Sequence, residues 1–121
     1  MASDAPSWPT EIRLDKDKRH LTVTFDSGNQ FAFDAEFLRV QSPSAEVQGH
    51  SPEQRQTVPG KRQVRISAVD PIGNYAIRIT FDDGHNTGLF TWDYFRSLGT
   101  DRDALWAAYL SDLARTGLGR D

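Results

Sequence analysis

Histidines and neighbouring carboxylates are the side chains of this sequence best suited to catalysis or metal binding. The 121 residues include three histidines, His20, His50 and His85, and no cysteine. None of the histidines begins a His-x-Asp or His-x-Glu pair, which is the local signature of a two-histidine, one-carboxylate iron site. No nucleophile elbow, phosphate-binding loop or His-Glu-x-x-His run is present either.

Two adjacent carboxylates, Asp82 and Asp83, stand directly before Gly84. A general acid and a general base must reach a substrate from opposite sides. Two neighbouring side chains in a tight turn are poorly placed to do so. Acidic residues beside glycine are typical of such turns. We interpret this pair as structural, and we predict that the protein is not an enzyme.

Composition and charge limit the classes of partner. The net charge is -3, from 14 basic and 17 acidic residues that are intermingled along the chain. This small negative net charge gives no reason to expect nucleic acid or an anionic membrane as a partner. No segment has the length of a membrane span, and the N-terminus lacks the basic and apolar regions of a signal peptide. We expect one cytoplasmic domain, without disulfides or thiolate-bound metal.

Alternation of apolar and polar residues predicts antiparallel β-strands in two regions of the chain. The first region has apolar residues at Ile12, Leu14, Leu21, Val23, Phe25, Phe31 and Phe33. The second region has them at Val64, Ile66, Tyr75, Ile77, Ile79 and Phe81. Turn-forming residues connect these segments, so we expect each strand to pair with its neighbour in the sequence.

The two regions repeat a pattern. Thr24-Phe25-Asp26-Ser27-Gly28 recurs as Thr80-Phe81-Asp82-Asp83-Gly84, and the segment 33–39 is echoed by the segment 90–96. Both copies are typical of a strand, a glycine turn, a second strand and a capped helix. We predict an α+β fold in which a duplicated β-hairpin–helix unit builds an antiparallel β-sheet shared by both copies. Chance similarity of two hairpins is the alternative.

A further helix is predicted at the C-terminus. Thr100 and Asp103 form a capping-box-like start, apolar residues keep helical spacing as far as Leu113, and Gly117 follows the last turn. Its apolar stripe is typical of a helix docked on its own domain, and a partner-binding helix is the alternative.

These elements divide the chain into three parts. Residues 1–8 are expected to form a flexible N-terminus, residues 9–98 the main domain, and residues 99–121 the C-terminal helix and tail. Between the two copies, residues 42–62 are rich in Ser, Pro, Gln and Gly, which predicts a long loop with one helical turn begun at residues 51–54.

Two segments carry a resemblance to a known family: residues 38–50, LRVQSPSAEVQGH, and residues 81–92, FDDGHNTGLFTW. Together with Ile72-Gly73-Asn74-Tyr75-Ala76, they resemble the N-terminal domain of gamma-butyrobetaine hydroxylase-like proteins. In that family the LR pair precedes a Cys-Pro-Cys-x-x-Cys run, which holds a structural zinc together with a later histidine. The resemblance therefore implies a metal-site framework in this part of the chain.

The thiol ligands of that framework are missing. Ser42 and Ser44 stand at the first two cysteine positions and Val47 at the third, whereas His85 matches the histidine. Serine hydroxyls stay protonated near neutral pH and are poor zinc ligands. Of the four zinc ligands that the resemblance implies, this sequence therefore keeps only His85. We expect the chain to have no bound metal and no other cofactor.

A reduced metal site is the alternative. Glu46 and His50 are four residues apart in the loop that matches the cysteine run, and with His85 they would offer one carboxylate and two imidazoles. Such a set suits zinc or iron without thiolate. The interpretation that we favour is that Glu46 and His50 are solvated and that His85 forms hydrogen bonds within its own hairpin.

The resemblance also implies an accessory role. In the hydroxylases this domain precedes a separate oxygenase domain, and in other relatives it is joined to P-loop ATPases that carry iron–sulfur clusters. We therefore expect a non-enzymatic interaction module with a protein partner, such as an iron–sulfur carrier ATPase or an oxygenase, and a link to metalloprotein maturation. The expected interaction surface, at the hairpin tips and the loop, consists of Ser42, Ser44, His50, Asn74, Tyr75 and His85.

Overall fold

The protein folds into six strands and three helices over the residues that the computed structural model describes, which are 8–48 and 57–121. The first half contains β1 (Pro9–Leu14), β2 (His20–Phe25), β3 (Gln30–Asp34), α1 (Ala35–Val40) and α2 (Ala45–Gln48). The second half contains β4 (Ile66–Ile72), β5 (Ala76–Phe81), β6 (Leu89–Thr91) and α3 (Trp92–Thr116). The predicted α+β fold is confirmed. The helical turn predicted at residues 51–54 lies outside the described residues.

The strands form two antiparallel three-stranded sheets, in the orders β1-β2-β3 and β4-β5-β6. The expectation of one sheet shared by both copies is therefore wrong. The first strand of each sheet has a register shift, between Pro9 and Glu11 in β1 and between Ile66 and Ala68 in β4. A bulge disrupts the row of backbone donors and acceptors that another strand would need. Strand β1 also contains Pro9 and strand β4 contains Pro71, and each proline removes one backbone N–H donor.

The duplication is visible in the backbone of the two hairpins. The N–H of Phe25 donates to the carbonyl of Asn29 at 2.8 Å, and the N–H of Phe81 donates to the carbonyl of His85 at 3.0 Å. The shifted register recurs at the start of both β1 and β4. This shared geometry favours duplication over chance similarity, and it places His85 at the position that Asn29 has in the first copy.

One hydrophobic core joins the two sheets to the helices. The ring of Phe33 on β3 lies 6.2 Å from that of Phe37 on α1 and 5.7 Å from that of Phe95 on α3, between centroids. The helices of both copies thus pack against the same side chain. Burial of an aromatic side chain of this size stabilises a fold by about 2–3 kcal/mol. The fully buried large residues are Phe25, Phe33, Phe81, Phe90, Phe95, Leu21, Leu38, Ile66, Ile79, Leu98, Val23 and Val40.

Helix α3 is longer than the sequence predicted. It begins at Trp92, where the Oγ1 of Thr91 accepts a hydrogen bond from the N–H of Tyr94 at 3.2 Å. It then continues without a break through Gly99, so the predicted start at Thr100 is wrong. The boundary that we expected between residues 98 and 99 falls inside this helix.

Gly99 is tolerated in this helix because of its packing. A β-carbon at Gly99 would overlap the ring of Phe31, which lies on β3 of the other copy. The glycine allows the helix and the strand to approach closely, and this packing offsets its low helix propensity, about 1 kcal/mol below that of alanine. Tertiary contact therefore decides the length of α3.

The last turns of α3 and the tail are docked on the domain. Tyr109 and Leu113 are buried against Val40 of α1, as expected for a docked helix. Arg120, beyond the helix, makes a bidentate ion pair with the buried Glu36, at 2.7 and 2.8 Å. Over the described ranges 8–48 and 57–121, no helix combines the length and apolarity needed to cross a membrane.

Candidate functional site

The site centres on Ser42, Ser44 and His85, three residues that the sequence singled out. Helix α1 ends at Val40, with Gln41 as its C-cap, and the two serines follow directly in the chain. His85 lies in the turn between β5 and β6. The turn of the second hairpin therefore meets the end of the helix of the first copy.

The three side chains form a compact hydrogen-bonded cluster. The Oγ of Ser42 lies 2.9 Å from the Nε2 of His85, and the Oγ of Ser44 lies 3.4 Å from the same nitrogen. The backbone N–H of Ser44 also donates to the Oγ of Ser42 at 3.4 Å. The direction of each serine–histidine bond depends on which ring nitrogen carries the proton.

The cluster lies in the interior of the protein. The relative exposures are 0% for Ser42, 5% for Ser44 and 8% for His85. Val47, at the third position of the framework, is also buried, and a β-carbon at Gly88 would overlap the Oγ of Ser42. The backbone of residue 88 therefore closes directly over the hydroxyl, which only glycine permits.

A second group of side chains fixes the backbone of the histidine turn. The Oδ1 of Asp83 accepts a hydrogen bond from the N–H of His85 at 3.0 Å. Its Oδ2 accepts from the Nε of Arg39 at 2.8 Å and from the Nζ of Lys61 at 2.7 Å. Arg39 belongs to the LR pair, so the two family-like segments are joined by an ion pair as well as by the cluster.

The charge state of Asp83 follows from these contacts. Burial alone raises the pKa of this carboxyl group. The hydrogen bonds from Lys61, from the N–H of His85 and from Arg39 favour the ionised form more strongly and hold the pKa at about 2. Asp83 is therefore ionised at neutral pH and has a structural role, as the sequence predicted.

The donors of this cluster do not fit the zinc site of the family framework. Structural zinc takes four thiolate or imidazole ligands at roughly 2.0–2.3 Å. Here the described framework positions offer one imidazole, two hydroxyls and the apolar side chain of Val47. The serine hydroxyls instead bond to the nitrogen that would face the metal. The alternative set needs the side chain of Glu46 and His50, which lie outside the described residues, so it stays a hypothesis.

Ser42 and His85 are also close enough to act as a nucleophile and its general base. A separation of about 2.6–3.2 Å between such groups is typical of serine nucleophiles. A nucleophile must reach its substrate, however, and Ser42 is fully buried beneath Gly88. The pair is therefore suited to holding two segments together rather than to attacking a substrate.

The predicted interaction surface is divided by the fold. Asn74 and Tyr75 are exposed in the turn between β4 and β5. Ser42, Ser44 and His85 are buried, so the prediction that they lie on an exposed surface is wrong. Their hydroxyl and imidazole groups bond to one another, which removes the need for solvent. The remaining predicted residue, His50, lies outside the described residues.

The exposed turn is held rigidly by Trp92. The indole Nε1 of Trp92 donates to the carbonyl of Asn74 at 2.9 Å, and its backbone N–H donates to the carbonyl of Tyr75 at 3.4 Å. The ring of Tyr75 lies against Gly73, where a β-carbon would stand 3.2 Å from two ring atoms. Tyr75 is nevertheless 51% exposed.

The part of the chain that the structure describes also contains one group of possible metal ligands that was not anticipated from the sequence. Asp15 and Asp17, in the turn between β1 and β2, and His20, the first residue of β2, have ligand atoms that all lie within 4.8 Å of one another. The Oδ1 of Asp17 accepts a hydrogen bond from the N–H of Arg19 at 3.0 Å, which is an ordinary turn contact. That hydrogen bond lowers the pKa of Asp17. The Asp-x-Asp-x-x-His spacing is the sequence signal that points to this group.

The fold and the buried cluster define a small α+β domain, built from two copies of a β-hairpin–helix unit. The family described as gamma-butyrobetaine hydroxylase-like, N-terminal, matches residues 12–96, and the chain belongs to this family. The resemblance seen in the sequence is thus confirmed. No protein of curated function matches the chain.

Solved structures agree with this assignment. Two solution structures determined by NMR are 47% and 42% identical to the chain, with TM-scores of 0.82 and 0.81. The first match covers 97% of this chain and 92% of the other, and the second covers 99% and 89%. A crystal structure of a protein of unknown function from Acidithiobacillus ferrooxidans is 39% identical, with a TM-score of 0.66, over 80% of this chain and 98% of that one.

Proposed function

We propose that the chain is a non-enzymatic accessory domain that binds a protein partner through the turn between β4 and β5. The observation that carries this proposal is the half-exposed side chain of Tyr75 on a turn held by Trp92. Tyrosine is enriched at protein interfaces because its ring offers a large contact area and its hydroxyl offers a hydrogen bond. A rigid turn loses little conformational entropy on binding.

The serine–histidine cluster supports the same proposal indirectly. Its polar groups are directed to one another and are buried, so it stabilises the fold and offers no reactive group to a substrate. We infer that the chain is not an enzyme and that the framework of a metal site serves here to join the two halves of the domain.

The second part of the proposal concerns the class of protein to which the partner belongs. Relatives in which such a domain is joined to iron–sulfur carrier ATPases or to oxygenases suggest a partner of one of these classes. The chain would then act in the cytoplasm during maturation of iron–sulfur or other metalloproteins. The absence of cysteine argues for an adaptor and against a cluster scaffold.

Affinity capture with two matched variants tests the role of the turn. Tyr75→Ala removes the exposed ring, and Leu118→Ala removes an apolar side chain of similar exposure, 43%, from the C-terminal tail. We expect the proteins captured by the unmodified chain to be lost with Tyr75→Ala and kept with Leu118→Ala. Retention of the same partners, in the same amounts, by Tyr75→Ala would remove this turn from the interface.

A further inference from the structure

A polar cavity lies on another part of the domain, where four separate segments of the chain meet. It has a volume of about 300 Å3 and opens to solvent. Its charged lining comes from Arg19 and His20, from Asp34 and Glu36, and from Arg62 and Arg120. This volume is at the lower end of the range of about 300–1,000 Å3 that small-molecule sites have.

The walls of the cavity are fixed by backbone hydrogen bonds. The carbonyl of Arg19 accepts from the N–H of Ala35 at 2.7 Å, which joins the turn between β1 and β2 to α1. The N–H of Arg62 donates to the carbonyl of Arg120 at 2.9 Å, which joins the segment before β4 to the C-terminal tail. The backbone segments that carry the arginines are therefore held in place by hydrogen bonds within the protein, without any ligand.

The cavity has an excess of positive charge. Among the arginines and carboxylates that line it, three arginines face two carboxylates, Asp34 and Glu36, which leaves a formal excess of one positive charge. Arg120 neutralises the buried Glu36 through two hydrogen bonds at 2.7 and 2.8 Å. Asp34 is at the rim, with a side chain that is 70% exposed, so its charge is strongly screened by solvent.

Two of the arginines are available to a ligand. Arg19 donates its Nη2 to the neutral amide of Gln63 at 2.7 Å, and no carboxylate of the described residues lies within ion-pairing distance of it. Arg62 pairs with Asp121, whose side chain is 75% exposed, at 2.6 Å. Exposed ion pairs contribute little to stability, so a ligand can replace Asp121 at little cost.

We propose that this cavity binds a small oxyanion, a carboxylate or a phosphate, with the guanidinium groups of Arg19 and Arg62 as its charged donors. The planar fork of arginine matches the oxygens of both kinds of anion. The amide of Gln63, oriented by Arg19, lies beside these donors. The site is separate from the turn of Tyr75, so its test is independent of the proposed partner.

The test is a titration of the 15N-labelled full chain with sodium acetate and with sodium phosphate, followed by NMR. Sodium chloride at matched ionic strength is the reference. We expect saturable shifts at the backbone amides of Arg19, Glu36 and Gln63 that chloride does not produce. The anion that saturates at the lower concentration identifies the ligand as a carboxylate or a phosphate.

Charge-matched variants make the test specific. Arg19→Gln and Arg62→Gln should each weaken binding about tenfold, which is about 1.4 kcal/mol, because each variant removes a charged hydrogen-bond donor. Arg78→Gln, which removes an exposed charge on β5 away from the cavity, should leave binding unchanged. Arg62 is exposed, so its variant should fold even if Arg19→Gln does not. Shifts that follow ionic strength alone, or equal weakening by Arg78→Gln, would overturn the proposal.

Discussion

The Oγ of Ser42 lies 2.9 Å from the Nε2 of His85, although the two residues are 43 positions apart in the chain. This contact joins the end of the helix in the first copy to the hairpin turn of the second. At these two positions the resemblance seen in the sequence implied a cysteine and a histidine that share a zinc. A serine–histidine hydrogen bond therefore stands at two positions where the sequence resemblance implied metal–ligand bonds.

Removal of the Ser42 hydroxyl should destabilise the protein. In Ser42→Ala the buried Nε2 of His85 loses the shorter of its two serine contacts, so we expect a loss of about 1–2 kcal/mol in the free energy of unfolding. Urea denaturation followed by circular dichroism measures this loss. The control is Ser97→Ala on the exposed face of α3, which should change stability by less than about 0.5 kcal/mol. An equally small effect of Ser42→Ala would show that the contact is unimportant.

Restoration of the missing thiols should create a zinc site. The triple variant Ser42→Cys, Ser44→Cys, Val47→Cys offers three thiolates beside the imidazole of His85, which is the ligand set of a structural zinc site. We expect one zinc per chain by elemental analysis and a melting temperature that falls on addition of chelator. The double variant without Val47→Cys should hold zinc more weakly. One tightly held zinc or iron in the unmodified chain would contradict our interpretation of the cluster.

The ion pairs of Asp83 should make stability depend on acid pH. The folded-state pKa of about 2 is below the ordinary value of 3.8, so the unfolded state binds the proton more readily. The contribution to stability is therefore present above about pH 4 and is lost as the pH falls to about 2.

Comparison with Asp83→Asn isolates this contribution. Between about pH 5 and pH 2 the unmodified chain should lose about 1–2 kcal/mol more than the variant, after allowance for solvent screening. Asp103→Asn, at a fully exposed site, should behave like the unmodified chain. Parallel pH profiles for the unmodified chain and Asp83→Asn, measured by urea denaturation, would refute the prediction.

A methyl group at Gly99 should destabilise the domain, although alanine is the better helix former. In Gly99→Ala the new β-carbon overlaps the ring of Phe31, and we expect a net loss of about 1–3 kcal/mol. Thermal unfolding measures this loss. Gly119→Ala is the control, because no atom lies within 4 Å of a β-carbon there. A stabilised Gly99→Ala would mean that propensity outweighs the contact.

Much of the fold follows from patterns within short stretches of sequence. Alternation of apolar residues predicted the strands, because successive side chains of a strand point to opposite faces. The pattern of both copies predicts a capped helix, and in the second copy the Oγ1 of Thr91 accepts a hydrogen bond from the N–H of Tyr94. Asp34 occupies the corresponding position of α1 without a capping hydrogen bond, and its Oδ1 lies 3.2 Å from the Nε2 of His20 instead.

By itself the sequence determined the family, the repeated pattern of the two halves and the absence of thiol ligands, since each of these depends on residue identity and spacing alone. Only the tertiary structure decided that Ser42, Ser44 and His85 are buried, that the copies have separate sheets, and that α3 runs through Gly99. These features depend on contacts between residues far apart in the chain, such as Ser42 with His85 and Phe31 with Gly99. The local periodicity of apolar residues does not predict such contacts, because they arise only when the two copies pack against each other.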